Sequence, residues 1–170
     1  MNYFELFEIP ISFTVDNTFL TRRYYELSKQ YHPDKYTLKS TNDQLHSLNK
    51  STEINNAYRV LKNESERIKY VLELLGVKFK EGQEKISQEF LMEMMDFNEA
   101  IMDYKFDPQP SAKQILTDKI KSIKASLSDD FQSVLKNIDI DNPNSDSLEL
   151  VKAYYLKSKY LSRIEKNFNH

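Results

Sequence analysis

The stretch Tyr31-His32-Pro33-Asp34-Lys35 decides the fold, because it lies between two segments of helical periodicity. Upstream, apolar and aromatic residues recur at spacings of four, three and four, which is typical of one helix face: Leu20, Tyr24, Leu27 and Tyr31. Downstream, a second stripe of helical period runs through Leu45, Leu48, Ser51, Ile54, Tyr58 and Leu61. The pattern predicts two amphipathic helices that pair antiparallel, with a polar turn between them.

Composition excludes several classes of function. The chain has 170 residues, enough for one good core or two small ones. Its net charge of −2 at 29 % charged residues favours neither nucleic acid nor a membrane as partner. Only two glycines are present, which disfavours phosphate-binding loops. Cysteine is absent, which excludes disulfides, thiolate zinc sites and cysteine-ligated iron–sulfur clusters.

The amino end, Met1-Asn2-Tyr3-Phe4-Glu5, has neither the basic and apolar regions of a signal peptide nor the Arg-rich character of a transit sequence. No apolar run nears the ~20 residues that span a membrane. The sequence therefore predicts a cytoplasmic bacterial protein, with no cofactor and no metal site.

Helix signals continue along the rest of the chain. Pro10 is expected to end a first short helix that begins at Tyr3, and Asp16 is a candidate N-cap for the second helix, which runs to about Tyr31. The third is expected from about residues 42–44 to Lys62. Asn63 with Glu66 resembles a capping box that opens a fourth helix, and Gly76 is placed to end it in the left-handed conformation.

The pattern lapses between Val77 and Ser87, and three more helices are predicted after it. The first covers about 88–104, the second is capped by Ser111, and the last starts near Ser145 after Asn142-Pro143-Asn144. Short turns marked by proline indicate a small antiparallel bundle. The prediction is an all-α, L-shaped molecule with a first domain at 1–76, a linker at 77–86 and a three-helix bundle at 87–170.

Taken alone, His-Pro-Asp is a weak signal, since such a tripeptide can merely end a helix and form a turn. Its surroundings resemble the J-domain co-chaperones in three further places: Tyr3-Phe4-Glu5-Leu6-Phe7, the run from Ile54 to Leu61, and Arg67-Ile68-Lys69-Tyr70. Val71 departs from the family, which has an acidic residue there.

The resemblance implies that the first domain stimulates the ATPase of a DnaK-type chaperone through four loop residues: His32, Pro33, Asp34 and Lys35. The Asp34 carboxylate suits a bidentate arginine, and Pro33 limits the loop entropy lost on docking. On a helical wheel, Arg22 and Lys29 face away from the predicted core and Arg23 lies at the rim. These three cations are candidate chaperone contacts, although exposed charges need no partner.

The helix predicted over 88–104 has more apolar surface than one core face needs. Its core stripe is Phe90, Met94, Phe97, Ile101 and Tyr104. Leu91, Met95 and Met102 form a second stripe with Met92 beside it, which is either an adaptable binding surface or a face that a third helix covers. On the last helix, a wheel centred on Leu150 places Tyr155 and Leu156 off the core face.

A J domain followed directly by a bundle that contains Phe90-Leu91-Met92-Glu93 is similar to the HscB family of iron–sulfur cluster biogenesis. The resemblance implies that the bundle binds the scaffold protein IscU and that the J domain presents it to HscA or a DnaK-like chaperone. The scaffold contacts carried over by alignment are Leu91, Met92, Met95, Asp96, Glu99, Tyr155 and Leu156. Asp96 stands where the family has Glu, and Tyr155-Leu156 replaces a basic–aromatic pair.

Three other functions compete with this one. A general protein-folding J protein would be expected to carry a Gly/Phe-rich segment and zinc-binding cysteines, which are absent. A hydrolase built on His32 and Asp34 has no cysteine nucleophile and no Gly-x-Ser-x-Gly elbow. A helical interaction protein with a degenerate J domain conflicts with the intact loop. We therefore expect a co-chaperone that is not an enzyme; the sequence leaves open which chaperone and which scaffold it serves.

Overall fold

The computed structural model describes residues 1–170, and every regular element in it is helical, which confirms the all-α prediction. The chain divides into two compact units, Met1–Val71 and Leu72–His170. No helix is long and apolar enough to cross a membrane. The elements are α1 (Tyr3–Leu6), α2 (Asn17–Gln30), a 3₁₀ helix (Pro33–Tyr36), α3 (Thr41–Lys62), α4 (Glu64–Leu74), α5 (Gln88–Phe106), α6 (Pro110–Leu135) and α7 (Ser145–Asn169).

Three of the predicted helix-end signals are present. The Asp16 carboxylate accepts hydrogen bonds from the first backbone amides of α2, the shorter of 2.8 Å. Asn63 Oδ1 accepts from the Glu66 amide at 3.0 Å and opens α4. Gly76 takes a φ of +87°, and the Val77 amide returns to the Leu72 carbonyl oxygen at 2.9 Å. This closing turn requires positive φ, which glycine adopts at least cost.

Other helix ends differ from the prediction. Ser111 does not cap α6: the helix begins one residue earlier with Pro110 in its first turn, where a missing N–H costs nothing. The first helix ends at Leu6, because Glu8 has a φ of +55° that turns the chain before Pro10 is reached. Helix α5 continues past Tyr104 to Phe106.

Contacts between their side chains show that α2 and α3 pack antiparallel. Near the start of α2, Thr21 Oγ1 lies 3.0 Å from the Tyr58 hydroxyl, late in α3. At the end of α2, the Tyr31 ring meets the ring of His46, early in α3. The seam is closed by four buried residues that the sequence predicted: Leu20, Leu27, Ile54 and Leu61.

The three tyrosines predicted in this seam are only half-buried. The rings of Tyr24 and Tyr58 stack with centroids 4.1 Å apart, and the Tyr24 hydroxyl donates to Asn55 Oδ1 at 2.9 Å. An amphipathic side chain at the edge of a core keeps its hydroxyl hydrogen-bonded this way. The buried stripe predicted for α3 also begins too early in the sequence, since Leu45 and Leu48 are exposed.

Arg67 and Tyr70 of the fourth helix hold unit 1 together. Arg67 is buried and donates to the carbonyl oxygens of Phe13 at 2.8 Å and Leu61 at 2.6 Å. Burial lowers the pKa of Arg67, against the opposing effect of Glu64. The Tyr70 hydroxyl accepts from the Tyr3 amide at 3.0 Å. The Arg-x-x-Tyr motif therefore fixes α4 to the segments that precede and follow α2.

The second unit is a three-helix bundle. Helices α6 and α7 run antiparallel, because Phe131 of α6 stacks on Tyr154 of α7 at 4.2 Å while Lys124 pairs with Glu165. The buried residues that form its main core are Phe90, Met94, Phe97, Ile101, Leu116, Ile120, Ile123, Leu127, Leu161, Ile164 and Phe168. The core stripe predicted for α5 is confirmed, with Tyr104 packed at its edge.

Residues of the segment predicted as a linker contact α7. Lys152 Nζ pairs with Glu84 Oε2 at 2.8 Å and donates to the Lys78 carbonyl oxygen at 3.2 Å. The same ammonium lies 5.2 Å from the centre of the Phe79 ring. The hydrogen bond from Lys152 is the largest cause that lowers the pKa of Glu84, and a backbone amide adds to it. One lysine therefore holds both ends of residues 78–84.

Candidate functional site

The His-Pro-Asp turn is a short, internally bonded structure. His32 caps the 3₁₀ helix, and its Nδ1 accepts from the Asp34 amide at 3.3 Å. The Lys35 amide donates to the His32 carbonyl oxygen at 3.0 Å. Because Nδ1 is an acceptor, Nε2 carries the proton in the neutral ring. The turn thus presents an imidazole and a carboxylate, which lie 3.7 Å apart between Nδ1 and Oδ2.

Neighbouring residues hold this turn in place. The Thr37 hydroxyl donates to the Asp34 carbonyl oxygen at 3.1 Å. From α3, Gln44 Nε2 donates to the carbonyl oxygens of Thr37 and Lys39. The side chains of His32, Asp34 and Lys35 remain exposed. A partner would therefore meet exposed functional groups on a backbone that is already ordered, which reduces the entropy lost on binding.

All three candidate cations are on α2, and two of them line the same groove. Arg22 and Lys29 line a shallow groove on this helix, and the exposed ring of Tyr25 lies between them. Arg23 lies outside the groove, where it pairs with Glu8 and with Glu26. Its guanidinium is thus engaged within the unit, whereas Arg22 and Lys29 make no ion pair and the Arg22 guanidinium lies 5.1 Å from the centre of the Phe19 ring.

The second predicted surface is an exposed apolar strip on α5, which we define by Leu91, Met92, Met95 and Met102. Met92 is 60 % exposed, Met95 66 % and Met102 68 %, while Leu91 is half-buried. No third helix covers them. Of the two readings that the sequence left open, the structure has the exposed face rather than the covered one. Exposed clusters of large apolar side chains are typical of interaction surfaces.

Two carboxylates lie at the Met92 side of the apolar strip. Asp96 and Glu99 are both exposed, and a helical wheel places them next to Met95 and Met92. The prediction missed Phe106, which is 93 % exposed and follows Met102 by four residues. The four-residue spacing between Met102 and Phe106 is visible in the sequence, but the helix was expected to end at Tyr104.

The prediction that Tyr155 lies off the core face of α7 is wrong. Its side chain is only 6 % exposed and its ring meets Phe79 edge-on at 5.3 Å. The wheel for α7 was centred on Leu150, which is exposed, whereas the next residue, Val151, is fully buried. Shifting the core face by one residue carries Tyr155 inward. Leu156 is half-buried, so it keeps some surface for a contact.

Contacts between α5 and α7 show where Leu156 lies. The Phe90 ring is 6.2 Å from Tyr160 and 5.6 Å from Lys157 Nζ. The start of α5 is therefore level with residues 157–160 of α7, and Leu156 lies within one turn of that level. No group of three or more His, Asp or Glu side chains is gathered to hold a metal ion.

Comparisons with known proteins agree over both units. Residues 2–70 match the DnaJ domain family, and residues 86–169 match the family described as the HSCB C-terminal oligomerisation domain. The chain is 32 % identical over 166 residues to the co-chaperone protein HscB homolog of Psychromonas ingrahamii, covering 97 % of this chain and 93 % of the relative.

Two solved structures have the same fold. The chaperone HscB from Vibrio cholerae superposes with a TM-score of 0.80 at 26 % identity, covering 99 % of this chain and 96 % of the other. The human co-chaperone protein HscB superposes with a TM-score of 0.83 at 27 % identity, covering 99 % of this chain and 81 % of the other.

Proposed function

The chain belongs to the HscB family of J-type co-chaperones, and we propose that it stimulates the ATPase of a DnaK/HscA-type chaperone and delivers the iron–sulfur scaffold protein IscU to it. It would act in the cytoplasm, in support of cluster assembly and transfer. The two tasks are divided between the two compact units of the chain.

One observation carries the proposal: a chain with an ordered His-Pro-Asp turn also presents an exposed apolar strip on a separate bundle. The turn supplies Asp34 as a carboxylate for an arginine of the chaperone, with Arg22 and Lys29 on the adjoining helix for acidic groups. The bundle supplies Leu91, Met92 and Met95 as a flexible apolar contact, which suits a folded protein client.

The strip also supports a folded scaffold as the client. Its carboxylate border, Asp96 and Glu99, adds a charge requirement that an arbitrary unfolded segment does not meet consistently. A general folding co-chaperone needs no such fixed charge pattern. Leu156 extends the contact onto α7, while the burial of Tyr155 leaves little of that ring for a partner.

Single-turnover ATP hydrolysis by a purified HscA-type chaperone tests the proposal. We expect this protein alone to accelerate hydrolysis and purified IscU to increase the acceleration further. An unfolded reduced polypeptide serves as the competing client. If the polypeptide replaces IscU with equal effect, the general folding function is the correct one.

A further inference from the structure

A cleft between α5 and α7 adjoins the apolar strip. Its volume is about 240 Å³, and its lining residues are Asn98, Tyr160, Arg163, Ile164 and Asn167. Ile164 is buried and Tyr160 is half-buried. The other three supply amide and guanidinium groups, so the cleft is rich in hydrogen-bond donors.

Arg163 makes no ion pair in the bundle, unlike three of the bundle's lysines. Lys119 pairs with Glu93 at 3.5 Å, Lys124 with Glu165, and Lys152 with Glu84 at 2.8 Å. Arg163 is exposed at the mouth of the cleft. One turn further along α7, Asn167 already accepts a hydrogen bond from Lys105 through Oδ1, which leaves its NH₂ group as a donor.

Helix geometry places this cleft beside the strip, on the side opposite the carboxylates. With Leu91 at zero and about 100° per residue, Asn98 lies near −20° and Met95 near 40°. Glu99 and Asp96 then lie near 80° and 140°. Met92 lies near 100°, so Glu99 lies between Met95 and Met92, and Asp96 lies beyond Met92. The strip therefore has carboxylates on its Met92 side and a donor-lined cleft on its Leu91 side.

We propose that the cleft receives an aspartate or glutamate side chain of the scaffold protein while the strip packs against its apolar surface. The inference rests on the proposed function and deepens it by adding a specificity-determining residue, Arg163. A planar guanidinium matches a carboxylate in a bidentate pair, which a lysine cannot reproduce. The amide donors of Asn98 and Asn167 can bind the remaining oxygen lone pairs.

The two borders together explain how one orientation of the partner is selected. Basic groups of the partner fit against Asp96 and Glu99, and an acidic group fits into the cleft. A partner rotated by half a turn would set like charges against each other, which penalises the wrong arrangement. The acidic border also disfavours a polyanion such as nucleic acid as the occupant.

Calorimetric titration with purified IscU tests the inference on the full-length protein. Arg163→Gln is expected to weaken binding about tenfold, and Arg163→Lys to recover only part of that loss. Lys121→Gln removes the same charge from an exposed position on α6 and is the matched control. It should stay within about twofold of the unsubstituted protein. Melting temperatures of all three variants should be unchanged, since both residues are exposed.

The source of the carboxylate is identified by substituting exposed Asp and Glu residues of IscU with Asn and Gln. One of these changes should weaken binding to the unsubstituted protein but have no further effect in Arg163→Gln. Additive effects at every acidic position would overturn the inference, as would unchanged binding by Arg163→Gln while Met95→Ala weakens it. In those cases the proposed function stands. Failure of the unsubstituted protein to bind IscU would overturn both.

Discussion

The hydroxyl of Ser47 donates a 2.8 Å hydrogen bond to the backbone carbonyl oxygen of Tyr31. Tyr31 is the C-cap of α2 and immediately precedes His32, and Ser47 is fully buried in α3. A carbonyl at the end of a helix has no partner within the helix and must find one elsewhere. This contact therefore fixes the point at which the His-Pro-Asp turn leaves α2.

Replacing Ser47 with Ala leaves that carbonyl without its partner, and we expect a loss of about 1–2 kcal/mol in the free energy of unfolding. Urea denaturation of the full chain measures it. Ser51→Ala is the control, a half-buried serine one turn further along the same helix. Equal midpoints for the two variants would show that the bond contributes nothing to stability.

Leu27→Ala tests the seam between α2 and α3. Leu27 is 6 % exposed, and removal of a buried leucine side chain costs about 2–5 kcal/mol through lost transfer energy and a residual cavity. Leu45→Ala makes the same chemical change at an exposed position and should alter stability by less than about 0.5 kcal/mol. If the buried faces of the two helices were assigned wrongly, Leu45→Ala would destabilise the protein more than Leu27→Ala.

Features that depend on a few neighbouring residues could be predicted from the sequence. The caps at Asp16 and Asn63 and the turn at Gly76 involve only residues within one turn, so residue type and spacing were enough. The core stripe of α5 was likewise correct, because four large residues at helical spacing leave a single solution for the buried face.

Features that depend on packing between distant segments could not be predicted. The core face of α7 is set by contacts with Phe79 and Phe131, which decide whether Leu150 or Val151 turns inward. The start of α3 faces the His-Pro-Asp turn, so Ser47 is buried there while Leu45 is not. The cleft at Arg163 is formed by two helices far apart in sequence.

The ion pair between Glu84 and Lys152 predicts a pH dependence of stability. Because the folded state lowers the pKa of Glu84 below its ordinary value of 4.5, the pair stabilises the fold above that pH. The contribution disappears as the pH falls through the lowered value. We expect Glu84→Gln to melt below the unsubstituted protein at pH 7, with the difference shrinking below about pH 4.

Glu81→Gln provides the control for this experiment, since Glu81 is exposed in the same segment. Scanning calorimetry at pH 7 and at acidic pH measures both variants. A melting-temperature difference between Glu84→Gln and the unsubstituted protein that is the same at both pH values would contradict the role assigned to the ion pair.

Simultaneous replacement of Leu91, Met92 and Met95 with Ala should strongly weaken scaffold binding, since central apolar residues of an interface typically cost more than ~1–2 kcal/mol each, though not additively. Stability should barely change, because the two methionines have little native packing to lose. Calorimetry of the variant, alone and titrated with IscU, measures both effects.

Ile115→Ala and Leu150→Ala remove exposed apolar side chains elsewhere on the bundle and serve as controls. They should leave IscU affinity within about twofold, as expected for residues outside an interface. A large drop in the melting temperature of the triple variant would mean that the strip is core and that the interface has been placed wrongly.

The most direct test of the account is single-turnover ATP hydrolysis by an HscA-type chaperone with Asp34→Asn, run beside a calorimetric titration of the same variant with IscU. Loss of one carboxylate charge on an exposed turn leaves the backbone bonds of Asp34 in place. We expect no acceleration of hydrolysis and unchanged affinity for IscU, with His32→Gln giving the same pair of results. Full acceleration by Asp34→Asn would contradict the J mechanism.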